Sequence, residues 1–298
     1  MHDDEVITDA SLVRRLLAVQ FPHWANLLIE PVPSAGTDNA LYRLGHDMAV
    51  RLPRIDWATG QVKKEMEWMP KLAPHLPLAI PDPLAMDEPG EGYPWHWGIY
   101  RWLEGDNLTL EHIADPVQAA VDLAQFINAL QQIDTDGGPL AKEHNLRGEP
   151  LIGRDENTRE AINSMRDMID ADTAIKIWEI ALKAHDWNRA PVWFHGDLLP
   201  GNLLFTQGHL SAVIDFGGLG VGDPACDMMI AWGLFTGKSR DAFRATLEID
   251  DATWARGRGH ALSQAVIFIP YYLNTNPIGV RNAMHMIETV FADYRENG

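Results

Sequence analysis

Three polar residues stand together in an otherwise apolar stretch of the sequence, FHGDLLPGNLLF at 194–205: His195, Asp197 and Asn202. A fourth, Asp215, closes the apolar run of LSAVIDFGGLGVGDPACDM that follows. An Asp and an Asn on one turn, opposed by an Asp on a second, would supply the oxygen ligands that suit a hard cation such as magnesium. One carboxylate would then remain for handling a proton. Side chains of this kind work from loops held by a rigid scaffold, so the elements around them have to be read next.

The stretch TDASLVRRLLAVQF places Leu12, Val13, Leu16, Leu17 and Phe21 at helical spacing, with Thr8 or Asp9 as the N-cap. NLLIEPVP, NALYRLG and DMAVRLP then read as short strands, the last two joined tightly through Gly45, His46 and Asp47, which predicts a β-meander. GQVKKEMEWMPKLA returns to helical spacing, and PWHWGIYRWLEG reads as a strand running into a connector that stops at Gly105. Beyond it, DPVQAAVDLAQFINALQQI combines an Asp-Pro helix start with a long apolar stripe. ENTREAINSMRDMI and ADTAIKIWEIALKAH are further helices, and the chain after Pro224 reads as helix to its end. PVWFHGDL, GNLLF and LSAVIDFGG are short apolar strands inserted between them, and the four polar residues sit at their ends. The order is therefore a sheet-containing lobe over 1–102, a connector near 100–106, and a larger, mainly helical lobe over 103–298.

Composition narrows the class. A chain of 298 residues with 46% hydrophobic and 22% charged residues has the make-up of an ordinary globular protein with a substantial core. No window approaches the length of uninterrupted apolar sequence that spans a membrane, and the acidic start MHDDEV does not read as a secretory signal, so a cytoplasmic location is expected. The single cysteine, Cys226, lies in apolar context and reads as a buried thiol. A formal charge of −18 argues against a nucleic-acid partner and accords with a small cationic ligand, although acidity for solubility alone would look the same.

HGDLLPGN and VIDFGG resemble the catalytic and metal motifs of the aminoglycoside phosphotransferase family, small-molecule kinases related to choline kinases and protein kinases. Gly196 follows His195 as in that family, and GVGDPACDM resembles its continuation. The resemblance implies an α+β, two-lobed protein-kinase-like fold with a small N-terminal β-sheet lobe and a larger, mainly helical C-terminal lobe. It implies that Asp197 orients the acceptor hydroxyl and takes its proton, that Asn202 and Asp215 hold Mg2+, and that His195 and Asp227 support the loop. Asp223 reads as an N-cap for the following helix. The co-substrate would be ATP or GTP.

The same resemblance assigns nucleotide-binding roles in the first hundred residues. Gly36, Thr37 and Asn39, within SAGTDNALYRLG, stand where the family closes a loop over the phosphates. Arg51 stands where the family usually carries a strand lysine; guanidinium can also hold phosphate, in a differently shaped cavity. Glu65 matches the helix glutamate that orients this cation, with Glu67 as the alternative. Backbone groups around Tyr100 to Trp102 would bond the nucleotide base.

The function implied is Mg-dependent transfer of a γ-phosphoryl group to a hydroxyl of an aminoglycoside-like antibiotic, by a monomer or weak dimer. Alternatives are a macrolide kinase, whose members often carry His at the position of Asn202, and a metabolic kinase for choline-, homoserine- or sugar-like acceptors. A nucleotide-binding pseudokinase that lost turnover with the strand lysine is a further reading; a metallohydrolase lacks the additional His-rich motif it needs. Acceptor choice would lie in the C-terminal helices, where Glu248, Asp250 and Asp251 either attract ammonium groups or start a helix.

Overall fold

Asp9 caps the first helix by accepting the Leu12 N–H at 2.6 Å, and the helix it starts, α1 (Ala10–Gln20), buries Leu12, Val13, Leu16 and Leu17 along one face. The computed structural model describes residues 5–33, 38–141 and 147–297. Their backbone groups into two units: described residues within 1–74, 79–104 and 212–217 form the first, and those within 75–78, 105–211 and 218–298 the second.

The first unit is a five-stranded antiparallel sheet of β1 (Ile29–Pro31), β2 (Asn39–Leu44), β3 (Met48–Pro53), β4 (Pro83–Asp87) and β5 (Trp97–Arg101), in the order β1-β2-β3-β5-β4. Alternation in β2 turns Ala40, Tyr42 and Leu44 inward, where they meet Val50 and Leu52 of β3, Trp97 and Ile99 of β5, and the apolar face of α1. Helix α2 (Gln61–Leu72) follows β3. The expected meander is present, whereas β4 had no counterpart in the sequence reading. Its residues PLAMD lack β-branched types and follow two prolines, and all five are only half-buried. That composition is tolerated because β4 is an edge strand.

The second unit is mainly helical: α3 (Pro116–Gln131), α4 (Asp155–Ser164), α5 (Ala171–Lys183), then α6 (Ile230–Gly233), α7 (Gly237–Thr246), α8 (Asp251–Tyr272) and α9 (Pro277–Asn297). Asp115, Asp170 and Asp250 cap α3, α5 and α8 by accepting N–H groups of the first turn, so the Asp-Pro start read at α3 is a working cap. Between these helices run the short strands β6 (Val192–Phe194), β7 (Leu203–Thr206), β8 (His209–Val213) and β9 (Gly220–Gly222); β6 pairs with β9, and β7 turns back into β8. Helix α8 lies so close to the short helical turn Pro224–Met229 that a Cβ on Gly257 would stand 2.3 Å from Met228 Cβ. That approach requires glycine, and it fixes the segment carrying Asp227. Among the described residues, no helix is long and apolar enough to cross a membrane.

Ile99, fully buried between β3 and β4, is central to the first unit. Ile99→Ala should lower stability by about 2–5 kcal/mol, the range for truncating a buried aliphatic side chain, and urea unfolding of the purified variant measures it.

Candidate active site

In the second unit, β6 runs out of the core at Phe194 and the chain turns sharply through His195 and Gly196. Two successive N–H groups, of His195 and Gly196, donate to Asp227 Oδ2 at 2.8 Å and Oδ1 at 2.7 Å. Asp227 is fully buried, and burial pushes its carboxyl up to about 7 from the ordinary 3.8, against the pull of these two N–H groups. Gly196 has φ of +83°, and a Cβ there would lie 2.4 Å from the Gly218 carbonyl oxygen, so no other residue fits this turn. The His195 ring, also fully buried, accepts the Asp197 N–H at Nδ1 (3.1 Å) and so serves the turn as a backbone acceptor.

Asp197 emerges part-exposed from this turn with both carboxylate oxygens engaged. Asn202 Nδ2 donates to its Oδ2 at 3.1 Å and to its carbonyl oxygen at 2.8 Å. Arg147 Nη1 donates to its Oδ1 at 2.7 Å and also to the Gly196 carbonyl oxygen. Asn202 lies on a short helical turn, Pro200–Asn202, whose exit is held by Asn107 Nδ2 donating to the carbonyls of Gly201 (2.9 Å) and Leu203 (2.8 Å). Behind Asp227, Asp223 caps its own short helix through the Ala225 N–H at 3.0 Å, and Arg256 of α8 clamps it with bonds of 2.8 and 3.2 Å. A buried guanidinium on α8 thus holds the segment that holds the turn. Cys226 is buried beside Asp227, and burial pushes its thiol well above the usual range.

In the first unit, Arg51 of β3 is the hub of a second network. Its Nη1 donates to Glu65 Oε1, and its Nη2 to Gln61 Oε1 at 2.8 Å and Asp215 Oδ1 at 3.0 Å. Burial opposes the charge of this guanidinium, but Glu65 and Asp215 together outweigh it and raise its pKa further. Tyr100, buried on β5, donates its hydroxyl to Glu65 Oε2 at 2.6 Å; burial, then the Glu65 charge, raise that phenol well above its ordinary value. Asn39 on β2 reaches Gln61 Oε1 at 3.2 Å, and its own buried Oδ1 has no hydrogen-bond partner among the described residues. Asp215 adopts φ of +63°, a left-handed conformation sparsely used outside glycine, and its side chain is 42% exposed. Glu67, the alternative to Glu65, lies on the surface of α2 paired with Lys71.

The residues singled out in the sequence are therefore distributed as follows. Arg51, Glu65, Tyr100, Asn39 and Asp215 share one network in the first unit; His195, Asp197, Asn202 and Asp227 share one in the second. Gly36 and Thr37 lie outside the described residues. Trp102 does not offer its backbone N–H, because that group donates to the Asp47 carbonyl at 2.8 Å and the Arg101 N–H to Asp82 at 2.8 Å. Pairing at the end of the sheet thus takes the Arg101 and Trp102 N–H groups. Asp250 and Asp251 also have local work, Asp250 capping α8 and Asp251 meeting Arg244 at 2.6 Å. Arg147, Gln61, Asn107 and Arg256 were missed by sequence reading. Each is joined to the site only by tertiary packing, and no local motif marks it.

The description of a family model, phosphotransferase enzyme family, matches residues 29–260. No curated protein matches the chain by sequence. Among solved structures, a GDP complex of a mutant aminoglycoside 2′-phosphotransferase-IIIa superposes with a TM-score of 0.74 at 19% identity, covering 97% of this chain and 100% of that one. A GDP and kanamycin complex of an APH(2″) enzyme gives 0.69 at 19% identity over 96% and 99%. A type I macrolide 2′-phosphotransferase gives 0.61 at 19% identity over 93% and 97%. The chain is similar in fold to all three.

The buried Asp227 makes a pH prediction. Its folded pKa lies above the unfolded one, so from about pH 4 to 7 the folded state holds a proton that the unfolded state has lost, and stability falls as pH rises through that window. Asp227→Asn has no such proton. Urea unfolding at pH 5 and pH 8 should show wild type losing on the order of 2–4 kcal/mol more than the variant over that interval; equal losses would contradict the assignment.

Proposed function

Because the chain belongs to the phosphotransferase enzyme family, whose model covers residues 29–260, we propose that it moves the γ-phosphoryl group of ATP or GTP to a hydroxyl of an aminoglycoside-like acceptor. The observation that carries this reading is the state of Asp197: a part-exposed carboxylate at the end of a rigid turn, held at one oxygen by the Asn202 amide. Such a group can accept a hydrogen bond from an incoming hydroxyl and orient it for in-line attack. As the acceptor oxygen bonds to the γ-phosphorus, the bond from that phosphorus to the bridging oxygen breaks. The hydroxyl proton passes to Asp197, and the nucleoside diphosphate leaves.

Asn202 and Asp215 would hold Mg2+, and their donor atoms fit it. The Asn202 Nδ2 is committed to Asp197 while its Oδ1 makes no hydrogen bond among the described residues. Asp215 has one oxygen on Arg51 and the other without a hydrogen-bond donor among the described residues. Among those residues no group of three His, Cys, Asp or Glu is placed to hold a metal ion by itself. When bound, it neutralises charge on the phosphates. Arg51, oriented by Glu65, would face phosphate oxygens, with Gly36, Thr37 and Asn39 nearby in sequence. With the Arg101 and Trp102 donors consumed, the next backbone donor on the connector is the Leu103 N–H, which has no hydrogen-bond partner among the described residues.

Residues 1–102 would serve nucleotide and 103–298 the acceptor. The net charge of −18 supports a cationic acceptor, and such a protein would act in the cytoplasm, where modification of the drug confers resistance. A macrolide acceptor is the second reading, supported by the fold likeness to a macrolide 2′-phosphotransferase.

Purified protein with magnesium and either ATP or GTP, assayed against aminoglycosides, macrolides and simple metabolic alcohols, tests the proposal. Turnover should be found with an aminoglycoside, and Asp197→Asn should reduce kcat about 10²–10⁴-fold while nucleotide affinity changes little. Tight nucleotide binding with no acceptor turned over would favour the pseudokinase instead.

A further inference from the structure

The segment between Asp197 and Asn202 is Leu198, Leu199, Pro200 and Gly201, so the turn itself supplies no cation to its own carboxylate. Arg147 supplies it from fifty positions upstream. We propose that Arg147 is the positioning residue for Asp197: its guanidinium, seated on the Gly196 carbonyl oxygen and Asp197 Oδ1, fixes the direction in which that carboxylate meets the acceptor hydroxyl. The inference rests on the phosphotransferase reading of the site and adds to it a residue that neither the motif nor the family match designates.

Geometry carries it. A side chain bonded only through Asn202 would keep one neutral hydrogen bond to Oδ2 and remain able to turn about its Cα–Cβ and Cβ–Cγ bonds. With Arg147 on Oδ1 as well, both oxygens are held from different directions, and the second bond is charge-assisted. The two side chains are 20% and 24% exposed, so water screens this pair only in part. One nitrogen of Arg147 touches both the Asp197 carboxylate and the carbonyl of the preceding peptide. The N–H of the same residue, Gly196, donates to Asp227. Gly196 is thus held at its N–H by a carboxylate and at its C=O by a guanidinium, through the two peptides that flank it, with the reacting carboxylate on the next residue.

A second buried arginine and a histidine feel the charge of Arg147. Arg154 is buried nearby with hydroxyl and amide partners, Ser263 at 2.9 Å and Gln264 at 3.4 Å, and it forms no ion pair among the described residues. Burial, then the charge of Arg147, lower its pKa to about 10. His260 is buried in the same region with Nε2 unpartnered among the described residues, and burial followed by the charges of Arg154 and Arg147 holds its pKa well below the ordinary value.

The test has two arms. In the first, unfolding constants of wild type, Arg147→Gln, Asp197→Asn and the double variant form a thermodynamic cycle that needs no acceptor. Coupling of at least fivefold is expected, and independent effects would overturn the pairing. In the second, with an acceptor that wild type phosphorylates, Arg147→Ala should lose 10–100-fold in kcat with nucleotide KM within twofold. Added guanidinium chloride at non-denaturing concentration should restore several-fold of that loss and do nothing for Asp197→Asn. Arg147→Lys, which keeps the charge and a reach to Oδ1, should be less impaired than Arg147→Ala and covers the case in which the latter does not fold. Unchanged kcat in Arg147→Ala, or a loss with no response to guanidinium, would overturn the positioning role. If wild type turns over no acceptor, the proposed phosphotransfer fails, and the cycle alone then decides whether Arg147 holds Asp197.

Discussion

Two consecutive backbone N–H groups pointing at one buried carboxylate are the constraint from which the second unit's site follows. Once His195 and Gly196 both donate to Asp227, the peptide between Phe194 and Asp197 has a fixed orientation. Gly196 must then take positive φ and approach Gly218 closely, and the Asp197 N–H is delivered to His195 Nδ1. A buried carboxylate is unfavourable unless its hydrogen bonds are good, and two N–H groups at 2.7 and 2.8 Å are the compensation. The cation that reinforces the arrangement from behind is Arg256, through Asp223, on a helix packed against the same turn by Gly257. Removing any of these groups would loosen the position of Asp197 without touching its carboxylate.

The first unit solves a different problem, that of giving hydrogen-bond partners to the carboxyl of Glu65, an α2 residue with 1% exposure. Arg51 meets Glu65 from β3 and Tyr100 meets it from β5, so adjacent strands of the sheet each contribute a donor. A lysine ammonium is a single point charge on a flexible stem, whereas the planar guanidinium can address several acceptors at fixed angles. That difference is used here: the second nitrogen of Arg51 spans Gln61 and Asp215 while the first stays on Glu65. Substitution of the usual strand residue therefore changes the reach of the network as well as its charge.

Much of this was legible in the sequence because it is local. The turn holding Asp197 and Asn202 lies within twelve residues, the caps Asp9, Asp115 and Asp250 directly precede their helices, and β2 alternates and joins β3 through a three-residue turn. What escaped was non-local or compositionally unmarked. β4 is an edge strand made of residues with little strand preference, recognisable only by its pairing with β5. Arg147 sits in a polar, glycine-containing segment whose pattern resembles any loop, and its link to Asp197 spans fifty residues. A strand signal at Trp97–Arg101 likewise does not reveal that the carbonyls of Asp82 and Asp47 take the N–H groups of Arg101 and Trp102.

The two networks share a logic that bears on the chemistry. In a chain carrying 42 acidic against 24 basic residues, a part-exposed aspartate such as Asp197 adds to an already repulsive field. Each unit answers with an arginine of its own, Arg147 on Asp197 and Arg51 on Asp215. The two pairings share a consequence for the proposed reaction. Arg147 can remain on Asp197 Oδ1 while a hydroxyl approaches, because a carboxylate has about four acceptor sites and the pair leaves several open. Arg51 likewise occupies one oxygen of Asp215 and leaves the other without a hydrogen-bond donor among the described residues, so the arginine that steadies this carboxylate need not leave for it to hold the proposed Mg2+.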